Sequence, residues 1–239
     1  MRKLYEKNEV WFAVLWIIVY CAATIPIRGN LGDESPLMLA ALAVLAAGAT
    51  LFVKLNGLAG KYGLDRWAAH PARLWYFVPM IVLATGNLWG GVRVIYPGAA
   101  QVWAVLSMML IGYVEELLFR GFLFRALLKK DGATPAILIS AVTFGIGHIV
   151  NLLAGQASLE TVIQVFFAIA WGFIFTLAFM KGGSLWPCII IHALVDVAST
   201  FSAGSMTAEM VYMIATIAVA AVYVPWLWRQ ETELVAESK

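Results

Sequence analysis

The sequence predicts an all-α fold: a polytopic membrane helical bundle of about eight transmembrane helices with both termini cytoplasmic. Three observations carry this expectation. The 239 residues are 62% hydrophobic and 13% charged, with a mean hydropathy of +0.86. An ordinary soluble domain is about 45–50% apolar and about 25% charged. The apolar residues form long unbroken runs, not the short alternating segments of a β-barrel. Lys and Arg fall almost wholly on one side when loops are numbered alternately. These features exclude a soluble globular enzyme, a disordered chain and a nucleic-acid binder. The 10 Trp suit a chain with two membrane interfaces.

The runs cover 10–27, 36–53, 74–89, 99–128, 135–150, 161–180, 185–201 and 208–228. The third and fifth are short. The fourth is long and charged in its second half, as expected of a helix that spans and then continues into the interface. The first follows Arg2, Lys3 and Lys7 but lacks a small-residue cleavage site, so it reads as an uncleaved span. The breaks carry turn chemistry: Arg28–Ser35 is a polar turn ending at Pro36, 129–135 a stop and restart, and 181–184 a tight break. The stretch 61–73 mixes Tyr62, Leu64 and Trp67 with Lys61, Arg66 and Arg73, and reads as an interfacial amphipathic segment or a plain inside loop. With the N-terminus inside, the outside loops hold only Arg28 and Arg93. Residues 1–239 form a single integral membrane domain, multi-pass in a bacterial-like inner membrane. Cys21 and Cys188 sit in apolar runs as small core residues.

An ionisable group at bilayer depth is costly and marks function by default. The candidates are Glu115, Glu116, Arg120 and Arg125 in the fourth run, His148 in the fifth, His192 and Asp196 in the seventh, and Glu209 opening the eighth. Glu116 and Arg120 are four apart and share a helix face, whereas Glu115 points about 100° away. His192 and Asp196 repeat the four-residue spacing. Gly145 and Gly147 flank His148 closely enough to admit a neighbouring helix. Arg125 is expected to snorkel to the interface, and Glu209 to sit near the outer surface. Two His and one Glu from three helices either ligate a divalent metal with an open position or hold a water that the Glu deprotonates. Both end in hydrolysis of an amide or ester.

The order of these residues resembles a known family. Glu115-Glu116-Leu117-Leu118-Phe119-Arg120 fits E-E-x-x-x-R, Phe144-Gly145-Ile146-Gly147-His148 fits F-x-x-x-H, and His192-Ala193-Leu194-Val195-Asp196 fits H-x-x-x-N/D. Together, over about 111–199, they resemble the CAAX protease and bacteriocin-processing (CPBP) family of intramembrane endopeptidases, which includes the Ras-converting CAAX endopeptidase. The resemblance implies that Glu115 activates water and that Glu116 and Arg120 support it. It also implies that His148 and His192 hold the water or oxyanion, or else ligate a metal such as zinc together with Glu115. Asp196 stands where prenyl-protein endopeptidases usually have Asn. An ionised Asp accepts hydrogen bonds but donates none. The implied partners are the lipid bilayer and a membrane-associated peptide or protein substrate. Two other classes stay open on the residues alone: a non-catalytic bacteriocin-immunity or regulatory scaffold, and an ion- or proton-coupled transporter.

Overall fold

The computed structural model describes residues 1–69 and 77–234. Among them ten α-helices follow one another: α1 (Arg2–Lys7), α2 (Glu9–Leu31), α3 (Pro36–Leu55), α4 (Val78–Ala84), α5 (Ala99–Glu116), α6 (Arg125–Asp131), α7 (Ala133–Gly147), α8 (Ser158–Gly182), α9 (Trp186–Ser199) and α10 (Met206–Trp228). No strand occurs among the described residues, only an isolated bridge between Val92 and Ser202. Six helical segments are long and apolar enough to cross a membrane: Glu9–Leu31, Pro36–Leu55, Ala99–Asp131, Ala133–Ala154, Ser158–Gly182 and Met206–Trp228. Two further apolar helices, Val78–Leu88 and Trp186–Ser199, are shorter. The chain is an integral, multi-pass membrane protein, and its eight apolar runs all contain helix. Ile18, Val44, Phe166 and Val222 point outward, more than half exposed, as lipid-facing side chains do.

Local chemistry sets the helix ends. Asn8 accepts from the Trp11 amide to start α2 (3.0 Å). Ser35 accepts from the Leu37 amide ahead of Pro36, starting α3 (3.1 Å). Gly183, in the left-handed region at φ 68°, ends α8. The turn expected from Arg28 starts later: α2 continues through Pro26 to Leu31. A missing proline donor is tolerated where neighbouring groups satisfy the freed backbone. The group Pro26 leaves without a helical donor is the Ala22 carbonyl one turn back; separately, near the helix end, Asn30 Nδ2 donates to the Pro26 carbonyl at 2.7 Å. The chain at 61–69 forms turns, with Tyr62 buried and Trp67 exposed. Arg73, the start of the third run at Leu74, and Lys239 lie outside the described residues.

Two close approaches bring the central helices together. On α5, a Cβ at Gly112 would lie 2.6 Å from the Ala193 amide nitrogen of α9. On the α7–α8 seam, a Cβ at Gly145 would lie 2.7 Å from Ile169 N, and one at Gly172 2.7 Å from the Ala141 carbonyl oxygen. Small residues permit this backbone contact. The expectation for Gly145 holds. Gly147 has room, with Phe119 Cζ 4.0 Å from its would-be Cβ. Gly112 precedes Glu115 by one turn, and Ala193 follows His192, so this contact sets the distance between the two motifs. Gly112→Val is expected to destabilise the protein by about 1–3 kcal/mol through overpacking. A thermal unfolding midpoint well below wild type, with Gly112→Ala intermediate, checks this.

Candidate functional site

The long helix from α5 to α6 is not uniformly α. Directly after Glu116, residues Leu117–Phe124 wind as a π-helix, and all eight are buried. Such wider turns are frequent at functional sites. This one carries Arg120, whose Nη1 donates to Glu116 Oε1 at 2.9 Å, both side chains being fully buried. His192 of α9 places Nδ1 2.8 Å from the same oxygen. An ionised carboxylate only accepts, so Nδ1 carries the proton in that contact. His192 Nε2 then lies 3.4 Å from Asp196 Oδ2 and 3.7 Å from Glu115 Oε2. The two adjacent glutamates thus approach opposite nitrogens of one imidazole, Glu116 at Nδ1 and Glu115 at Nε2.

Aromatic rings hold this arrangement. The Arg120 guanidinium sits 4.0 Å from the centre of the Phe144 ring and 5.2 Å from that of Phe175. Phe175 stacks on His192 at 5.4 Å. The Phe144 ring meets His148 edge-on at 5.2 Å and His192 at 5.7 Å. Phe144, the first residue of its motif, is therefore a common floor for both imidazoles and the arginine.

His148 occupies the junction where α7 gives way to the 3-10 turn His148–Ala154. Its Nδ1 lies 3.0 Å from the Phe144 carbonyl oxygen. That acceptor fixes the proton on Nδ1 and leaves Nε2 as the second functional atom. Glu115, His148, His192 and Asp196 all line one cavity of about 760 Å3. The break in helix type at His148 brings it to that cavity, although straight counting along the fifth run places it nearer the outer side.

The sequence offers Glu115, His148 and His192 as the donors of a metal, if one binds. Glu115, His148 and His192 share the cavity, yet no group of three or more His, Cys, Asp or Glu among the described residues is arranged to hold a metal ion. Both Nδ1 atoms face protein acceptors, which leaves the Nε2 atoms as the free ring nitrogens, and His192 Nε2 lies 3.7 Å from Glu115 Oε2.

Two other expectations change. Arg125 does not snorkel: it is 8% exposed, on a segment packed against α2 and α7. Cys188 is a buried core residue, but Cys21 is half-buried and lines the cavity. Glu209 is exposed in the first turn of α10.

The first span supplies residues that the motifs did not announce. Tyr20 of α2 is buried, and its hydroxyl donates to Glu115 Oε1 at 2.6 Å. Eight residues later Arg28 binds Asp33 through Nε (2.9 Å) and Asn151 through Nη1 (3.1 Å). Arg28 thereby ties the end of α2 to the turn that begins with His148. The available signal was a tyrosine within an apolar run, followed by an arginine near the run's end.

Residues 97–198 match a family model described as type II CAAX prenyl endopeptidase Rce1-like. No curated protein and no solved structure matches the chain. The matched segment contains every residue of the three motifs and ends just beyond Asp196, and over it the chain is similar to the CAAX protease family, a family of endopeptidases, which supports the resemblance carried by the motifs.

Proposed function

We propose that the protein is an intramembrane endopeptidase that hydrolyses a peptide bond of a membrane-associated peptide or protein. The observation that carries this is the convergence of Glu115, His148, His192 and Asp196 on one cavity among apolar helices, with the Glu116–Arg120 pair buried beside it. In this reading the eight apolar helices, including Val78–Leu88 and Trp186–Ser199, form the membrane domain, with both termini cytoplasmic.

The steps follow from the side chains. Water sits between Glu115 Oε2 and His148 Nε2, where an unprotonated ring nitrogen accepts one of its hydrogens. Glu115 takes the other proton as the water oxygen bonds to the carbonyl carbon. The carbonyl oxygen becomes an oxyanion. His192, when doubly protonated, donates to it from Nε2, while the carboxylates of Glu116 and Asp196 balance the charge of the ring. The C–N bond then breaks, Glu115 returns its proton to the leaving nitrogen, and a carboxyl and an amine product result. An ionised Asp196 suits a place beside His192 Nε2 better than a place facing the oxyanion.

Tyr20 distinguishes the two oxygens of Glu115: it occupies Oε1 and leaves Oε2 toward His192 and the cavity. Tyr20→Phe is expected to lower kcat about tenfold, with KM within about twofold, as loss of one hydrogen bond to a charged group predicts. Steady-state kinetics alongside a melting curve checks this.

The proposal is tested with purified protein in proteoliposomes carrying lipid-anchored, internally quenched peptides, with fragments identified by mass spectrometry. Cleavage by wild type that is lost in His192→Ala, at equal folded protein, supports it. Equal cleavage by both contradicts it, and a non-catalytic scaffold predicts cleavage by neither.

A further inference from the structure

The two ends of the bundle carry opposite charge, and the charged residues that line the cavity rim gather at one of them. The cavity's outer lining is Arg28, Asp33, Gln156, Glu160 and Glu209. These residues cluster where α2 ends and where α8 and α10 begin. Glu34 follows Asp33 in the α2–α3 turn. Arg93 belongs to the same end, its amide donating to the Phe201 carbonyl just beyond α9 at 2.8 Å. Acids therefore outnumber bases around the mouth.

The opposite end is basic. Lys61 and Lys129 both bind Glu9 at the start of α2, at 2.5 and 2.9 Å. Lys181 donates to the Trp228 and Gln230 carbonyls at the end of α10, at 3.0 and 2.7 Å. Lys54 lies in the last turn of α3, Lys130 in that of α6, and Arg229 caps α10. Aromatic rings fill the space between this end and the cavity floor. Phe12 packs on Phe52 at 4.6 Å and on Phe122 at 5.1 Å, and Tyr62 on Phe122 at 5.2 Å.

Lys and Arg accumulate on the cytoplasmic ends of membrane helices. We infer that the cavity opens on the non-cytoplasmic side of the membrane and is plugged toward the cytoplasm. The peptide that reaches Glu115 then comes from outside: an exported chain, or the outward-facing segment of a membrane-anchored one. Glu115 lies sixteen residues along α5 from Ala99, about 24 Å by helix rise, so the bond to be cut must descend deep into the bundle. Cleavage in this cavity rests on the proposed endopeptidase reading, but the direction of the mouth does not.

Site-directed labelling decides the direction. Glu160→Cys at the mouth and Lys130→Cys at the basic end are each made in a Cys21→Ala/Cys188→Ala background. Intact bacterial cells expressing each are treated with a membrane-impermeant maleimide, and then permeabilised and treated again. The expected result is label on Glu160→Cys in intact cells, with Lys130→Cys unlabelled until permeabilisation. The reverse pattern overturns the inference. As a second readout, native Cys21 in the cavity should react with an impermeant thiosulfonate added to intact cells, while buried Cys188 stays unmodified. Reaction of Cys21 only in inverted vesicles overturns it equally. The same labelling repeated on Glu115→Gln protein keeps orientation separate from chemistry, since neither readout needs turnover.

Discussion

Replacing Glu115 by glutamine is expected to abolish most hydrolysis while leaving the protein folded. Glutamine keeps the shape, and its amide oxygen still accepts the Tyr20 hydroxyl that bonds Oε1 at 2.6 Å in wild type. What disappears is the ability to take a proton from water. General-base catalysis contributes about 10²–10⁴-fold, so kcat should fall by that factor. Glu115 meets the cavity and, among the described residues, carries no buried ion pair with arginine, so the melting temperature should stay close to wild type. Matched turnover and melting curves check both halves. A large fall in melting temperature would assign Glu115 to the scaffold instead.

Arg120→Ala is expected to give the opposite balance, with a large loss of stability. Arg120 and Glu116 are fully buried and joined at 2.9 Å. Removing the arginine leaves a carboxylate with His192 as its remaining partner in an apolar setting. Breaking one side of a buried pair costs about 3–5 kcal/mol. The guanidinium also covers Phe144 at 4.0 Å, so the floor beneath both histidines loses its packing. Thermal unfolding in detergent and the yield of folded protein measure the effect. The double replacement Glu116→Leu/Arg120→Met removes both charges. It should recover much of the stability, because apolar pairs of similar volume often replace buried ion pairs without loss. Activity should stay low, because His192 Nδ1 loses the acceptor that fixes its ring at 2.8 Å.

These two residues show how unevenly the sequence exposes the site. Glu116, Arg120, His192 and Asp196 are legible because ionisable groups stand out in apolar runs and their four-residue spacing survives in the structure. The wide turn at Leu117–Phe124 is not legible. Eight consecutive buried residues offer no polar face from which to read a period. His148 shows the reverse case, since its motif is plain while its depth depends on a change of helix type at Gly147. Tyr20 carries no motif, and its role appears only when α2 is laid against the π-helical segment. The short helices explain the span count. Pro187 sits in the first turn of α9, which ends at Ser199. Fourteen residues rise about 21 Å, so α9 is shorter than the run from 185 to 201 suggested.

In the proposed reaction Glu115 activates a water held in a cavity within the membrane. The most direct measurement is hydrolysis of a lipid-anchored peptide in H₂¹⁸O by wild-type and Glu115→Gln protein in matched proteoliposomes, read by mass spectrometry. The expected result is a single ¹⁸O in the new carboxyl terminus released by wild type, and almost no product from Glu115→Gln. Labelled product forming at the wild-type rate in Glu115→Gln would contradict it.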